Sequence, residues 1–65
     1  MMSIVFTLSH EESGFSAFRV QEDHHIIVEA PDIKELRVKA LEAVNELLEG
    51  QLYRYELDDI VFRPE

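Results

Sequence analysis

The chain has 65 residues, a net charge of −8 and no cysteine. That excludes more than one domain, any disulfide and any thiolate metal site. It also lacks the run of about 18 apolar residues that a membrane span needs, and its first residues carry no basic segment of the signal-peptide kind. A cytoplasmic protein is therefore expected. Arg19, Lys34, Arg37, Lys39, Arg54 and Arg63 are scattered among fourteen carboxylates. Nucleic-acid affinity rests on neutralised phosphates, so direct DNA or RNA binding is not expected. Acidity can attract a basic protein, or it can serve solubility alone.

Ser3 to Ser9 alternates Ile4, Phe6 and Leu8 with Val5, Thr7 and Ser9, the period of a strand. His10 to Ser13 is polar, and Gly14 can supply a positive φ for a hairpin. A second strand is predicted over Phe15 to Glu22, with Phe15, Ala17 and Arg19 on one face and Phe18 and Val20 on the other. His25 to Ala30 predicts a third. Short connections favour antiparallel pairing.

Pro31 then stops the sheet pattern, and Asp32 with Glu35 three residues on is a capping-box variant. A helix is predicted from Ile33 to about Glu49. Ile33, Leu36, Ala40, Ala43, Val44 and Leu47 share one stripe about 100° wide, with Leu41 and Leu48 on its flank. Val38 falls outside the stripe, and Gly50 suits the position just past the end. In the tail, Tyr53, Tyr55 and Leu57 alternate with Arg54 and Glu56. Asp58-Asp59 suggests a turn, and Ile60 to Phe62 is more apolar. One of these tail segments joins the sheet.

The expected fold is α+β, in the order β-β-β-α-β: a small antiparallel sheet with one helix on one face. Nothing in the chain is left to cover the other face. Val5, Ile27 and either Phe18 or Phe15 then have no helix to meet. Such a face is expected to be a binding surface or a dimer interface. The candidate interface residues are Val5, Phe18, Val20, Ile27, Tyr53 and Tyr55.

Catalytic chemistry finds little support. His24 and His25 are adjacent, so on a strand they point to opposite faces and cannot share an ion. The acidic pairs Glu11-Glu12, Glu22-Asp23 and Asp58-Asp59 all fall in predicted turns, and the first strand carries no carboxylate between Ser3 and Ser9. A two-metal site needs carboxylates converging from rigid positions. Ser9-His10 and Ser16 lack a framing motif for nucleophilic catalysis. Two glycines cannot build a phosphate loop. Tyr53 and Tyr55 could stack on bases, but the basic groove that usually accompanies stacking is absent from the sequence. No catalytic residue, metal or cofactor is expected.

The stretch SGFSAFRVQEDHHIIVEAPDIKELRVKALEAVNELL resembles the HicB-like antitoxin domain. The resemblance rests on Gly14-Phe15-Ser16-Ala17 in the second strand, Ala30, Asp32 to Leu36, and the helix punctuated by Ala40 and Ala43-Val44. It covers residues 3 to about 49 well and the tail weakly. The chain departs from the family where VQEDHHIIVEA stands in place of a Pro-x-Leu-Pro-Gly segment. It also ends at Glu65 without an appended helix-turn-helix or ribbon-helix-helix segment, as short, free-standing members do. The resemblance implies a partial ribonuclease-H-like sheet without nuclease carboxylates. It further implies a dimer, and a domain that binds and blocks a small basic RNA-cleaving toxin. The alternative is a homodimeric structural or regulatory module with no toxin partner.

Ala17 is expected to be small because the helix passes closely over it, through Ala40 or Ala43. Ala17→Leu should overpack this contact and cost about 1–3 kcal/mol of stability. An unchanged melting midpoint would place Ala17 on the open face instead.

Overall fold

A computed structural model describes residues 3–21, 24–47 and 55–65. The elements are β1 (Ile4–Glu11), β2 (Gly14–Gln21), β3 (His24–Ala30), α1 (Ile33–Leu47), a 3₁₀ turn (Leu57–Asp59) and β4 (Ile60–Pro64). The strands form one four-stranded sheet in the order β3-β2-β1-β4.

β1, β2 and β3 form an antiparallel meander, with Leu8 opposite Ala17 and Ala17 opposite Val28. β1 runs on to Glu11, past the strand end expected at Ser9. His10 stacks on Phe15 with ring centroids 4.6 Å apart, and Glu11 pairs with Gly14. The hairpin loop therefore shrinks to Glu12-Ser13. β4 departs from the expected antiparallel sheet: it pairs with β1 in parallel, Ile4 opposite Ile60 and Phe6 opposite Phe62. The cause is chain direction. β3 runs the same way as β1, α1 carries the chain back, and the next strand must then run with β1 again.

Asp32 caps α1 as its spacing predicted: its Oδ1 accepts a hydrogen bond from the Glu35 backbone N–H at 2.8 Å. The helix lays one face on the sheet. Ile4, Phe6, Ala17, Ala30, Leu36, Ala40, Val44 and Ile60 form the core. Phe6, Leu36 and Ile60 are its largest fully buried side chains, each contributing about 1.5–3 kcal/mol of burial. Ala17 and Ala40 are both fully buried, so the helix lies close to the sheet where both are small. The predicted stripe overreached at its end. Leu47 is exposed, and so is Val38, as its position implied. Leu48, Glu49 and Gly50 lie outside the described residues.

Polar groups on α1 tie the tail to the sheet. Arg37 donates from its guanidinium to the Ile60 carbonyl and stands 5.3 Å over the Phe62 ring. Asn45 makes a reciprocal pair with Tyr55: its Oδ1 accepts from the Tyr55 N–H at 2.9 Å, and its Nδ2 donates to the Tyr55 carbonyl at 3.2 Å. The Asp58-Asp59 turn is the 3₁₀ segment, where Asp59 Oδ2 accepts from the Glu56 N–H at 2.9 Å.

Gly14 sits at φ +148° with the β3–α1 corner pressed against it. A Cβ there would lie 2.5 Å from the Ala30 carbonyl oxygen and 2.8 Å from the Pro31 Cα. Both are backbone atoms, so neither can swing away. Gly14→Ala is expected to destabilise the domain by about 1–3 kcal/mol, read as a lower denaturation midpoint. A midpoint equal to the parent's would mean that this corner is not closely packed.

Candidate functional site: the open sheet face

Alternation fixes what faces away from α1. Ile4 and Phe6 are buried beneath the helix, so Val5 and Thr7 point to the other side. The same holds for Phe18 and Val20 around buried Ala17, for Ile27 between Ile26 and Val28, and for Val61 between Ile60 and Phe62. Register then aligns these residues into rows. Ile27, Phe18, Thr7 and Arg63 form one row across the four strands. In the next, His25 lies opposite Val20 and Val5 lies opposite Val61. Beyond the first row, Glu29 faces Ser16 and Ser16 faces Ser9.

Apolar residues on this face are exposed, beside exposed His25, Glu29 and Arg63. Ile27 is 71% exposed, Val20 62%, Phe18 38% and Val61 36%. Among the described residues, no element covers it. Of the six expected interface residues, the structure brings together Val5, Phe18, Val20 and Ile27, and Phe18 rather than Phe15 is the aromatic on this side. Phe15 packs against the core. Tyr55 is displaced from the expectation. It is half-buried and packs against the core because Asn45 holds its backbone beside the helix. Tyr53 lies outside the described residues. Val61 is the member the sequence reading missed. Its signal was the alternation of Ile60, Val61 and Phe62, which needs the tail register before it can be assigned to a face.

The polar candidates serve the fold. Glu11 Oε1 accepts from the Ser16 hydroxyl at 2.9 Å, closing the hairpin end. His10 is stacked on Phe15, on the helix side of the sheet, whereas Ser9 faces the other way. His24 and His25 are successive residues of β3. Glu22 and Asp23 lie outside the described residues. No group of three or more His, Asp or Glu gathers as a metal site among the described residues. Open depressions lie among the described residues. One of about 270 Å³ lies beside Gly14 and Lys39, where Lys39 Nζ donates to the Glu29 carbonyl at 2.8 Å. Another, of about 470 Å³, lies between Ile27 on β3 and Leu47 on α1. No helix among the described residues is long and apolar enough to cross a membrane.

No family model matches the chain, and no curated protein or solved structure was found to be similar to it.

Exposed apolar residues on this face contribute little to folding. Ile27→Thr and Val20→Thr are each expected to move stability by no more than about 0.5 kcal/mol. Denaturant melts of the two variants check this. A loss comparable to that of a core truncation would mean the face is already covered, by the chain itself or by a second copy.

Proposed function

We propose that the chain is a non-enzymatic protein-interaction domain, similar to the HicB-like antitoxin domain, that works through surfaces rather than through a catalytic site. The observation that carries this reading is the apolar face spanning all four strands with no described element upon it. Contiguous exposed apolar surface of this kind marks protein contact sites in soluble domains.

Two further observations support it. The residues that carry the family resemblance have definite structural work in this fold: Gly14 admits the close approach of Ala30-Pro31, Ala17 is fully buried, and Asp32 caps the helix. These roles support the resemblance at the level of fold. Second, the net charge of the chain is −8, and the outer side of α1 exposes Glu35, Glu42 and Glu46 beside Lys34 and Lys39. The charge of the whole chain suits a small basic partner, such as the RNA-cleaving toxin that the resemblance implies.

Co-purification with such a toxin tests the reading. A stoichiometric complex in which ribonuclease activity is silenced supports the antitoxin function. If the chain neither binds nor silences any basic ribonuclease encoded beside it, the homodimeric module without a toxin becomes the better account. For the electrostatic part, affinity for a basic partner should fall steadily as ionic strength rises. Binding that is flat from low to high salt would remove charge from the mechanism.

A further inference from the structure

Resting on the interaction reading, we propose that the outer edge of β3 takes an added strand: an extended, basic segment of a partner protein pairs with residues 25–29 and sets alternate side chains into the groove between β3 and α1. This surface is the edge of the sheet, distinct from its open face. Three observations carry it.

The first is the direction of the backbone groups. Each residue of a strand sends its N–H and C=O to one side, and the next residue sends both to the other. The Leu8 carbonyl accepts from the Glu65 N–H at 3.0 Å, so Leu8 faces β4. Ala17, opposite Leu8, therefore faces β3 and pairs with Val28. Phe18 then faces β1, and Ile27 opposite it faces out of the sheet. His25 and Glu29 share its direction, and the Glu29 carbonyl accepts from Lys39 Nζ at 2.8 Å as that direction requires. Lys39 guards this one carbonyl. Among the described residues no hydrogen bond takes the outward groups of His25 and Ile27, and such groups are a template for another strand. The opposite edge is blunted. β4 has five residues against seven in β3, it ends in Pro64, which has no N–H, and Arg37 holds the Ile60 carbonyl.

The second is the groove beside that edge. The depression of about 470 Å³ is lined by His25, Ile26 and Ile27 of β3 and by Ala43, Glu46 and Leu47 of α1. Leu47 carries the helical period of the core and yet is 42% exposed, and Ile27 is 71% exposed. One more strand accounts for both. Its residues beside Ile26 point toward α1 and cover Leu47, and those beside Ile27 extend the open face.

The third is charge. α1 runs back along β3, so Glu46, about two turns beyond Lys39, comes to the His25 end of the groove, and Glu29 stands at the other end. Both carboxylates are exposed. Lys39 occupies the Glu29 end, so a Lys or Arg of the added strand belongs at Glu46. The net charge of −8 steers a basic segment toward the chain. Two copies of this chain would set −8 against −8 across a contact one strand wide, which favours the basic partner as occupant.

Nuclear magnetic resonance titration and amide hydrogen exchange of the full chain test this, with an acetylated and amidated peptide of alternating lysine and valine as the probe. A second peptide of the same sequence, N-methylated at every residue, keeps the charge and the apolar surface but cannot donate to a strand. Ile27→Pro removes an outward N–H, a change that edge strands tolerate. Val61→Thr alters the open face at the far edge of the sheet. The expected result is exchange at the Ile27 amide slowed at least 10-fold by the first peptide, and binding weakened at least 10-fold by N-methylation and by Ile27→Pro but unchanged by Val61→Thr. Circular dichroism melts check that each variant folds. If Ile27→Pro fails to fold, the N-methylated peptide and the Ile27 amide carry the test. Equal binding of the two peptides, or no binding of either, overturns the added strand, and the interaction reading is then judged by the toxin co-purification alone. Binding lost in Val61→Thr and kept in Ile27→Pro also overturns it, moves the contact to the open face and leaves the interaction reading in place. A parent that sediments as a dimer and turns monomeric with Ile27→Pro gives the edge to a second copy and overturns the partner strand.

Discussion

A sheet has two faces, and the described chain supplies one helix. That inequality governs the rest of the structure. A helix of 15 residues is about 22 Å long, enough to roof four short strands on one side only. Everything buried lies under it: Phe6, Leu36 and Ile60 with the small residues around them. Everything apolar on the alternate positions is left outside. Half-solvated antiparallel sheets commonly carry polar residues there. This face does so at Thr7, Ser9, Ser16, His25, Glu29 and Arg63, while Val5, Phe18, Val20, Ile27 and Val61 are apolar.

The roof sits close because its contact points are small. Ala17 and Ala40 are fully buried, Ala30 ends β3 inside the core, and Gly14 offers no side chain to the corner that turns from β3 into α1. These four positions let one helix do the covering that a larger domain divides among several elements. The same helix also disciplines the tail. Arg37 and Asn45 reach out from its half-buried flank to backbone groups at Ile60 and Tyr55, which brings the last strand in beside β1. One element thus caps the core, sets the edge of the sheet and presents a charged outer surface.

This division of labour bears on function. The residues resembling the HicB-like pattern are those that make the helix fit the sheet, and the open face is made by residues the pattern does not mention. Fold and open face are written in different positions of the same strands. A sequence can keep the first and vary the second, so the architecture by itself names no partner. The physical character of each surface is what narrows the choice: an apolar sheet centre without carboxylates on one side, and exposed glutamates on the other.

Local chemistry determined the element order in the sequence itself. Period two marked β1, β2 and β3, Asp32 and Glu35 marked the start of α1, and Gly14 marked the hairpin. Each of these signals acts between residues a few positions apart, so it can be read without the fold. The same alternation put Phe18 and Val20 opposite Ala17, and with them most of the open face. The tertiary structure decided what depends on distant contacts. Whether Tyr55 or Val61 faced outward turned on which tail segment paired with β1, and that was settled by Arg37 and Asn45 across 23 and 10 residues of chain. The parallel sense of β4 followed from the helix reversing the chain direction. Leu47 carried the helical period and is nonetheless exposed, because periodicity assigns a residue to a face of the helix and only the extent of the sheet beneath decides whether that face is covered.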